Sequence, residues 1–368
     1  MNEEEQKQQA KSTKLRVGFC LPKFTLRGAD YVLWALAYFC DGNALPHESY
    51  IFVYDDVLSE YAEDIHEPEN RTEAMRRFDY FKEKGQLIVT TKNEMETAMK
   101  MIKIDVCYIY LAGFENEREM IPKDIPSITH CIFSGMVKLG DVHTVISNSV
   151  PHQPNSDTRV LPNMLVVMNH TDDLRNTLHI PKDAVVFGRY GALHTFSIPW
   201  VKETVVRYAK KHPEVWFLFM NTQPFSDMRE LSNIVYIRGS SDLSLKRAFI
   251  NTCDAMLHGR IDGETFGCAV GEFAVCGKPI LTSPCLHRAF GYPADGHLDI
   301  LDKRAVVYTN PEVLWTWLDA FSKKEVLVNM DGNGYMDFVP DKVMPLFEQC
   351  LQDAIKNHCV VVTVSEST

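Results

Sequence analysis

Two glutamates, Glu264 and Glu272, stand eight positions apart in the segment GETFGCAVGEF, residues 263–273. Every other member of that run is Gly, Ala, Cys, Val, Phe or Thr. A carboxylate buried among such residues without donors costs several kcal/mol, so each should have partners or a ligand to bind. If residues 266–276 form a helix, Glu272 is the one charge on a nearly all-apolar element. Glu264 then lies just ahead of the helix, at the positive end of its dipole. Eight residues at ~1.5 Å each set the carboxylates up to ~12 Å apart, about the span from a sugar ring to the ribose of a nucleotide sugar. The free N–H groups at the helix start would face phosphates or a sugar between them. On spacing alone, one helix-terminal charge plus one carboxylate in a structural hydrogen-bond network is an equal alternative.

The elements that must position this pair follow from the hydrophobic pattern. In the first half, LRVGFCL, SYIFVY, QLIVTT, DVCYIYLA, PSITHCIF, HTVISNSV and MLVVMN read as strands. Between the first of them stand the apolar helix YVLWALAYFC, the helix RTEAMRRFDYFKEKG closed by Gly85, and the helix NEMETAMKMI. After NHTDDLRNTLHIPKDA, where Asp172 and Asp173 suit the start of a short connector helix, the alternation begins again. VVFGRYG, VWFLFMN, NIVYIRG, DAMLHG, KPILTS and AVVYTN read as strands, and IPWVKETVVRYAKKH, LSLKRAFINT and PEVLWTWLDAFSK as helices. Such βαβ order implies parallel sheets with helices on both faces, hence two doubly wound α/β domains in tandem. The expected organisation is a disordered polar leader over 1–14, a first domain over 15–170, a second over 171–341, a helix over 342–358 and a tail over 359–368. That last helix carries Leu346, Phe347, Cys350, Leu351, Ala354 and Ile355 on one stripe. A site between two such domains lies at the carboxyl ends of their strands.

Composition narrows the function classes. The 368-residue chain is 45% hydrophobic and 24% charged, an ordinary globular balance, and its net charge of -11 argues against nucleic acid as a partner. The apolar stretch Tyr31 to Cys40 is half of the ~20 residues that a spanning helix needs, so no transmembrane segment is expected. No apolar signal segment follows the polar start, and ten cysteines occur without a CxxC pair or zinc-ligand spacing. A cytoplasmic protein with reduced thiols is expected. MDGNGYMD, residues 330–337, lacks the remaining ligand spacing of a calcium loop and reads as an Asx/Gly turn.

The block DAMLHGRIDGETFGCAVGEFAVCGKPILTS resembles the donor-site block of retaining glycosyltransferases of the GT-B fold, in particular glycosyltransferase family 4. A short strand, a Glu-x-Phe-Gly loop, a second Glu, an Ala-rich helix and a Gly-x-Pro entry to the next strand occur in the family's order. The resemblance extends over the second half of the chain, through FGRYG and PEVWFLFMN, and includes the first strand with its glycine loop. Long GETFG…GEF…KP versions occur in bacterial and large-virus relatives. The resemblance implies two Rossmann-like domains facing across a cleft, with the C-terminal helix packed back on the first. It also implies transfer of a hexose or related sugar from a UDP- or GDP-sugar to a hydroxyl of a glycan or glycoconjugate. No tightly bound cofactor and no metal are expected, and contact with a membrane surface stays open.

Carried over residue by residue, the resemblance implies that Glu264 holds hydroxyls of the donor sugar and Glu272 the ribose hydroxyls. The backbone of Phe266, Gly267 and Cys268 would meet the sugar and the diphosphate. Arg189 would bind the diphosphate, and Lys246, eighteen residues before Glu264, would lie beside the nucleotide. The loop 238–242, with Ser240 and Ser241, would line the base. Gly28, in LRGAD, would let backbone approach phosphate or acceptor, a plain helix start being the alternative. His130, in ITHCIF, stands where the family often places a histidine near the reacting carbon; a structural histidine is the equal alternative. His258 and Arg260 flank the loop, Arg260 as a brace or as charge toward phosphate. One departure stands out: the lysine that usually follows the Arg189 position is absent, YGALHTF offering only His194 and Thr195. A sugar-nucleotide or glycan-binding protein without turnover is therefore a second expectation, whereas a phosphorylase would be longer and need a pyridoxal phosphate lysine.

Overall fold

A computed structural model of the chain describes residues 14–21, 28–54, 73–154, 156–227, 230–322 and 328–365, excluding side chains from 360 onward. The expected leader up to residue 13, loop residues 22–27 and the last three residues lie outside it.

Continuous apolar runs make the first sheet. Strands β1 (Arg16–Leu21), β2 (Glu48–Tyr54), β3 (Leu87–Thr90), β4 (Val106–Leu111), β5 (Ser127–Cys131), β6 (Val142–Val145) and β7 (Arg159–Val160) pair in the order β3-β2-β1-β4-β5-β6-β7. Every pairing is parallel. All residues of β4, β5 and β6 are buried, as a parallel sheet covered on both faces requires. Helix α1 (Gly28–Cys40) crosses between β1 and β2, α2 (Asp79–Glu83) precedes β3, and α3 (Met95–Ile102) precedes β4.

The second sheet repeats the pattern. Strands β8 (Val185–Tyr190), β9 (Val215–Met220), β10 (Ile234–Ile237), β11 (Ala255–Leu257), β12 (Ile280–Thr282) and β13 (Ala305–Val307) run in the order β10-β9-β8-β11-β12-β13. They too are parallel throughout. The helices are α4 (Pro199–Lys211), α5 (Leu243–Thr252), α6 (Cys268–Val275), α7 (Gly296–Leu301) and α8 (Pro311–Ser322). Strand order reverses between β1 and β4 and between β8 and β11, which opens a crevice at the carboxyl ends of each sheet. The chain is thus two Rossmann-like domains, and α9 (Pro340–Ser365) returns from the second to pack on β4, β5, β6 and α1 of the first. Phe347 is fully buried there, its ring 5.9 Å from Phe19 and 5.7 Å from Tyr108.

Local departures have local causes. MLVVMN (164–169) is not a strand. It is the crossing segment, and its backbone is satisfied singly: Leu165 N–H donates to Phe338 O (2.7 Å) and Val166 N–H to the Tyr31 hydroxyl (2.5 Å). The connector helix at Asp172 and Asp173 is instead one turn, opened by Asp173 accepting from Arg175 N–H and closed by His179 at φ 55°. RTEAMRRFDYFKEKG forms a helical turn over 73–76 and then α2, with a break between. On α9 the apolar stripe excludes Leu346, which is exposed, and the helix runs through Ser365 where a tail was expected.

Phe347→Ala should cost about 3–5 kcal/mol of stability, read as a lower urea midpoint. A variant as stable as the wild type would show that α9 adds nothing to the first domain.

Candidate functional site

Glu264 lies in the loop ahead of α6 and Glu272 in the middle of that short helix, in separate polar clusters. Gly267 precedes α6 at φ 83°, and a Cβ there would lie 3.3 Å from Glu264 Cβ and from the Tyr335 hydroxyl. The chain therefore turns left-handed at Gly267, and α6 starts at Cys268 rather than at Phe266. Phe266 is buried, and its carbonyl accepts from Tyr335. Ahead of the helix, Glu264 N–H donates to Ala294 O (2.7 Å), which pins the loop.

Arg260 Nη1 donates to Glu264 Oε2 at 2.9 Å, and His258 Nε2 lies 3.4 Å from Oε1. Burial pushes the Glu264 carboxyl up, but the Arg260 charge and His258 outweigh it and hold the group at about 2. His258 is oriented by Thr282, whose hydroxyl is 2.8 Å from Nδ1 and 3.0 Å from His297 Nε2. Burial lowers His297 to about 3, so it is neutral. Arg189, at the end of β8, is also buried, and burial lowers its guanidinium to about 9 even with Glu264 nearby. It remains a cation at neutral pH, yet its hydrogen bonds all go to neutral oxygens: the hydroxyls of Thr195 and Thr222 and the carbonyls of Ala192 and Asn221.

At the other end of the turn, Glu272 is 3% exposed and accepts from the Tyr190 hydroxyl. Lys246 Nζ, on α5, is 3.9 Å from Glu272 Oε1 and lies over the rings of Tyr31 and Tyr190, 5.0 and 5.3 Å from their centroids. Burial, reinforced by Glu272, raises both tyrosines well above their ordinary values, so they stay neutral donors.

The first domain closes over this helix. A Cβ on Gly28, the first residue of α1, would be 3.6 Å from Cys268 Sγ, and Asn163 Nδ2 is 3.7 Å from the same sulfur. Ser147 and Ser149 hydroxyls donate to Thr265 O at 2.6 and 3.0 Å. Glu73 accepts from Ser241 N–H (2.7 Å) and from the hydroxyls of Ser240 and Ser241 (both 2.9 Å). Gly28, Glu264, Phe266, Gly267, Cys268, Glu272 and Lys246 are thus brought around α6, with Arg189 beside the Glu264 end and Ser241 across from Glu73.

No protein-family model matches the chain, and no curated protein matches it by sequence. Solved structures do match its fold. HepE of Anabaena, in complex with UDP and glucose, superposes with a TM-score of 0.62 at 13% identity, covering 92% of this chain and 99% of that one. A glycosyltransferase from Rickettsia africae gives 0.62 at 10% identity, over 94% and 100% of the two chains. The galactosyltransferase WaaB of the lipopolysaccharide outer core, in its apo form, gives 0.56 at 13% identity, over 92% and 99%. The fold is GT-B.

Within this GT-B frame His130 is packed as the structural one of its two expected alternatives. It is fully buried in β5, with Nδ1 2.6 Å from the Tyr108 hydroxyl and Nε2 2.5 Å from Leu161 O. Burial lowers it to about 3, and with both nitrogens taken it meets neither α6 nor the cleft polar groups. A histidine ending a strand reads the same whether its ring points to the cleft or into the sheet. His258 is the histidine that the GT-B cleft places against Glu264. Tyr31, Glu73, Arg77 and His297 carry no sequence signal of their own: Tyr31 sits in an apolar run, and Glu73 and Arg77 in a helix-like segment rich in charge. Among the described residues no group of three or more His, Cys, Asp or Glu is placed to hold a metal ion, and no helix is long and apolar enough to cross a membrane.

The depressed Glu264 carboxyl predicts a pH signature. Its folded value of about 2 lies below the ~4.3 of an unfolded glutamate, so its contribution is complete above ~4.3 and fades as pH falls toward 2. Glu264→Gln should be less stable than wild type by about 1–3 kcal/mol at pH 7. In urea titrations that gap should close between pH 4.5 and the acid limit; a gap constant with pH would exclude an ionised Glu264 pairing with Arg260.

Proposed function

We propose that the protein is a retaining glycosyltransferase that moves a hexose or related sugar from a nucleoside-diphosphate sugar to a hydroxyl of a glycan, glycolipid or glycoprotein. The observation that carries this reading is the buried Arg189 cation. It has no carboxylate in contact among the described residues, and the charge of Glu264, in the loop ahead of α6, acts on it. An excess of buried positive charge beside a helix N-terminus calls for a multiply charged oxyanion. The flanking carboxylates add acceptors for sugar hydroxyls on one side and ribose hydroxyls on the other. HepE, similar in fold, is seen with UDP and glucose.

In this reading Glu264, kept ionised by Arg260, accepts hydroxyls of the donor sugar, and Glu272, oriented by Tyr190, accepts those of the ribose. The backbone N–H groups after Gly267, with Arg189 and Lys246, meet the charge on the departing nucleoside diphosphate. The acceptor hydroxyl attacks the anomeric carbon on the face that the phosphate leaves. The carbon–phosphate oxygen bond breaks as the new glycosidic bond forms, and the hydroxyl proton passes to the departing phosphate oxygen. The closed arrangement of Ser147, Ser149 and Glu73 against the second domain keeps water from the same carbon.

A second reading is a nucleotide-sugar-binding protein without turnover. The burial of His130 and the commitment of Arg189 to Thr195 and Thr222 favour it. UDP-, GDP- and ADP-sugars, offered with glycan acceptors and followed by nucleotide release, separate the two. Turnover of one donor, an axial or equatorial product bond matching the donor's, and a loss of at least ~100-fold in kcat/KM for Glu264→Gln are expected. Binding without turnover selects the second reading, and no binding of any donor rejects both.

A further inference from the structure

Arg77 lies in the turn between residues 73–76 and α2, is 8% exposed, and among the described residues has no hydrogen-bond partner for Nε or Nη1. Leaving two donors of a buried cation unmet costs several kcal/mol, so the position is explained by a partner that comes and goes. Its guanidinium carbon is 5.6 Å from the Tyr31 ring centroid, and Lys246 Nζ, from the other domain, is 5.0 Å from that same centroid. Two cations therefore converge on one tyrosine from opposite sides of the domain boundary. None of the nearby carboxylates among the described residues meets Nε or Nη1. Glu272 Oε2 is taken by Tyr190, and the 3.9 Å from Oε1 to Lys246 is an ion pair without a hydrogen bond. Asp30, buried at the start of α1, and Glu73 also act on Arg77 through their charge, and burial lowers both Arg77 and Lys246.

Glu73, four residues earlier and paired with Arg76, ties the segment that carries Arg77 to Ser240 and Ser241 of the second domain. The charge of Glu272 is felt at Arg77 from that domain. The first domain thus brings two unmet donor nitrogens, Nε and Nη1, to the region of Tyr31, Lys246 and Glu272.

We propose that Arg77 is a donor-binding residue that reaches from the first domain to the diphosphate of a nucleoside-diphosphate ligand. Lys246, over the same Tyr31 ring, adds a second cation. This rests on the glycosyltransferase reading of the cleft and adds a residue to it.

The test is calorimetric titration of the full chain with UDP, GDP and ADP, followed by the tightest of these, its nucleoside and inorganic pyrophosphate. Wild type is compared with Arg77→Gln and Arg77→Lys. Arg77→Gln should weaken the nucleoside diphosphate by ~10- to 100-fold and pyrophosphate by a similar factor, and leave the nucleoside within about twofold. Arg77→Lys should recover part of that loss. Should Arg77→Gln fail to fold, the diphosphate-against-nucleoside split in Arg77→Lys decides. Unchanged diphosphate binding, or an equal loss for nucleoside and diphosphate, overturns this inference alone. Failure of wild type to bind any of the three overturns the glycosyltransferase reading with it.

Discussion

A carboxylate can be buried only if donors are buried with it, and the segment that runs from the β11 loop into the short helix α6 carries that requirement twice. Glu264 meets it with Arg260 and His258 from its own loop. Glu272 meets it with Tyr190 from β8 and, more loosely, Lys246 from α5. Each solution brings further polar groups inside, so the loops after β8, β11 and β12 become committed to one place. Thr282 and His297 orient His258, and Tyr31 from the first domain covers Lys246. The polar interior of the cleft grows outward from two side chains.

The same requirement explains how the domains meet. Much of the first domain's contact with α6 is polar and small: Gly28 against Cys268, Asn163 against the same sulfur, and two serine hydroxyls on Thr265 O. Apolar burial reaches α6 as well: Leu165 of the crossing segment packs against Gly271, while α9 lies on β4 to β6. The polar cleft contacts are a replaceable set, hydrogen bonds worth little net each. Glu73 on the Ser240–Ser241 loop belongs to that replaceable set, because a ligand edge offering acceptors could take the same donors.

Long periodic elements were legible because burial on both faces leaves a one-dimensional trace. VCYIYL, VVFGRY and VWFLFM are strands by composition alone, and the βαβ alternation made parallel sheets the economical solution. MLVVMN misled for the same reason: Met164 and Leu165 are buried, but against the Phe338 turn rather than in a ladder. Letters report burial, and burial does not say which neighbour supplies it.

The sequence by itself determined the two-fold α/β alternation and marked the α6 block with its carboxylates, since each depends on neighbours close along the chain. Tertiary structure alone decided that His130 faces Tyr108 and Leu161 and which oxygen of Glu264 Arg260 meets. It alone also brought Tyr31 and Arg77, far away in sequence, to Lys246 and Glu272. The physical reason is the same in each case. A side chain's charge and shape are local properties, whereas its partner is set by strand order and domain closure, and these join residues that no spacing rule connects.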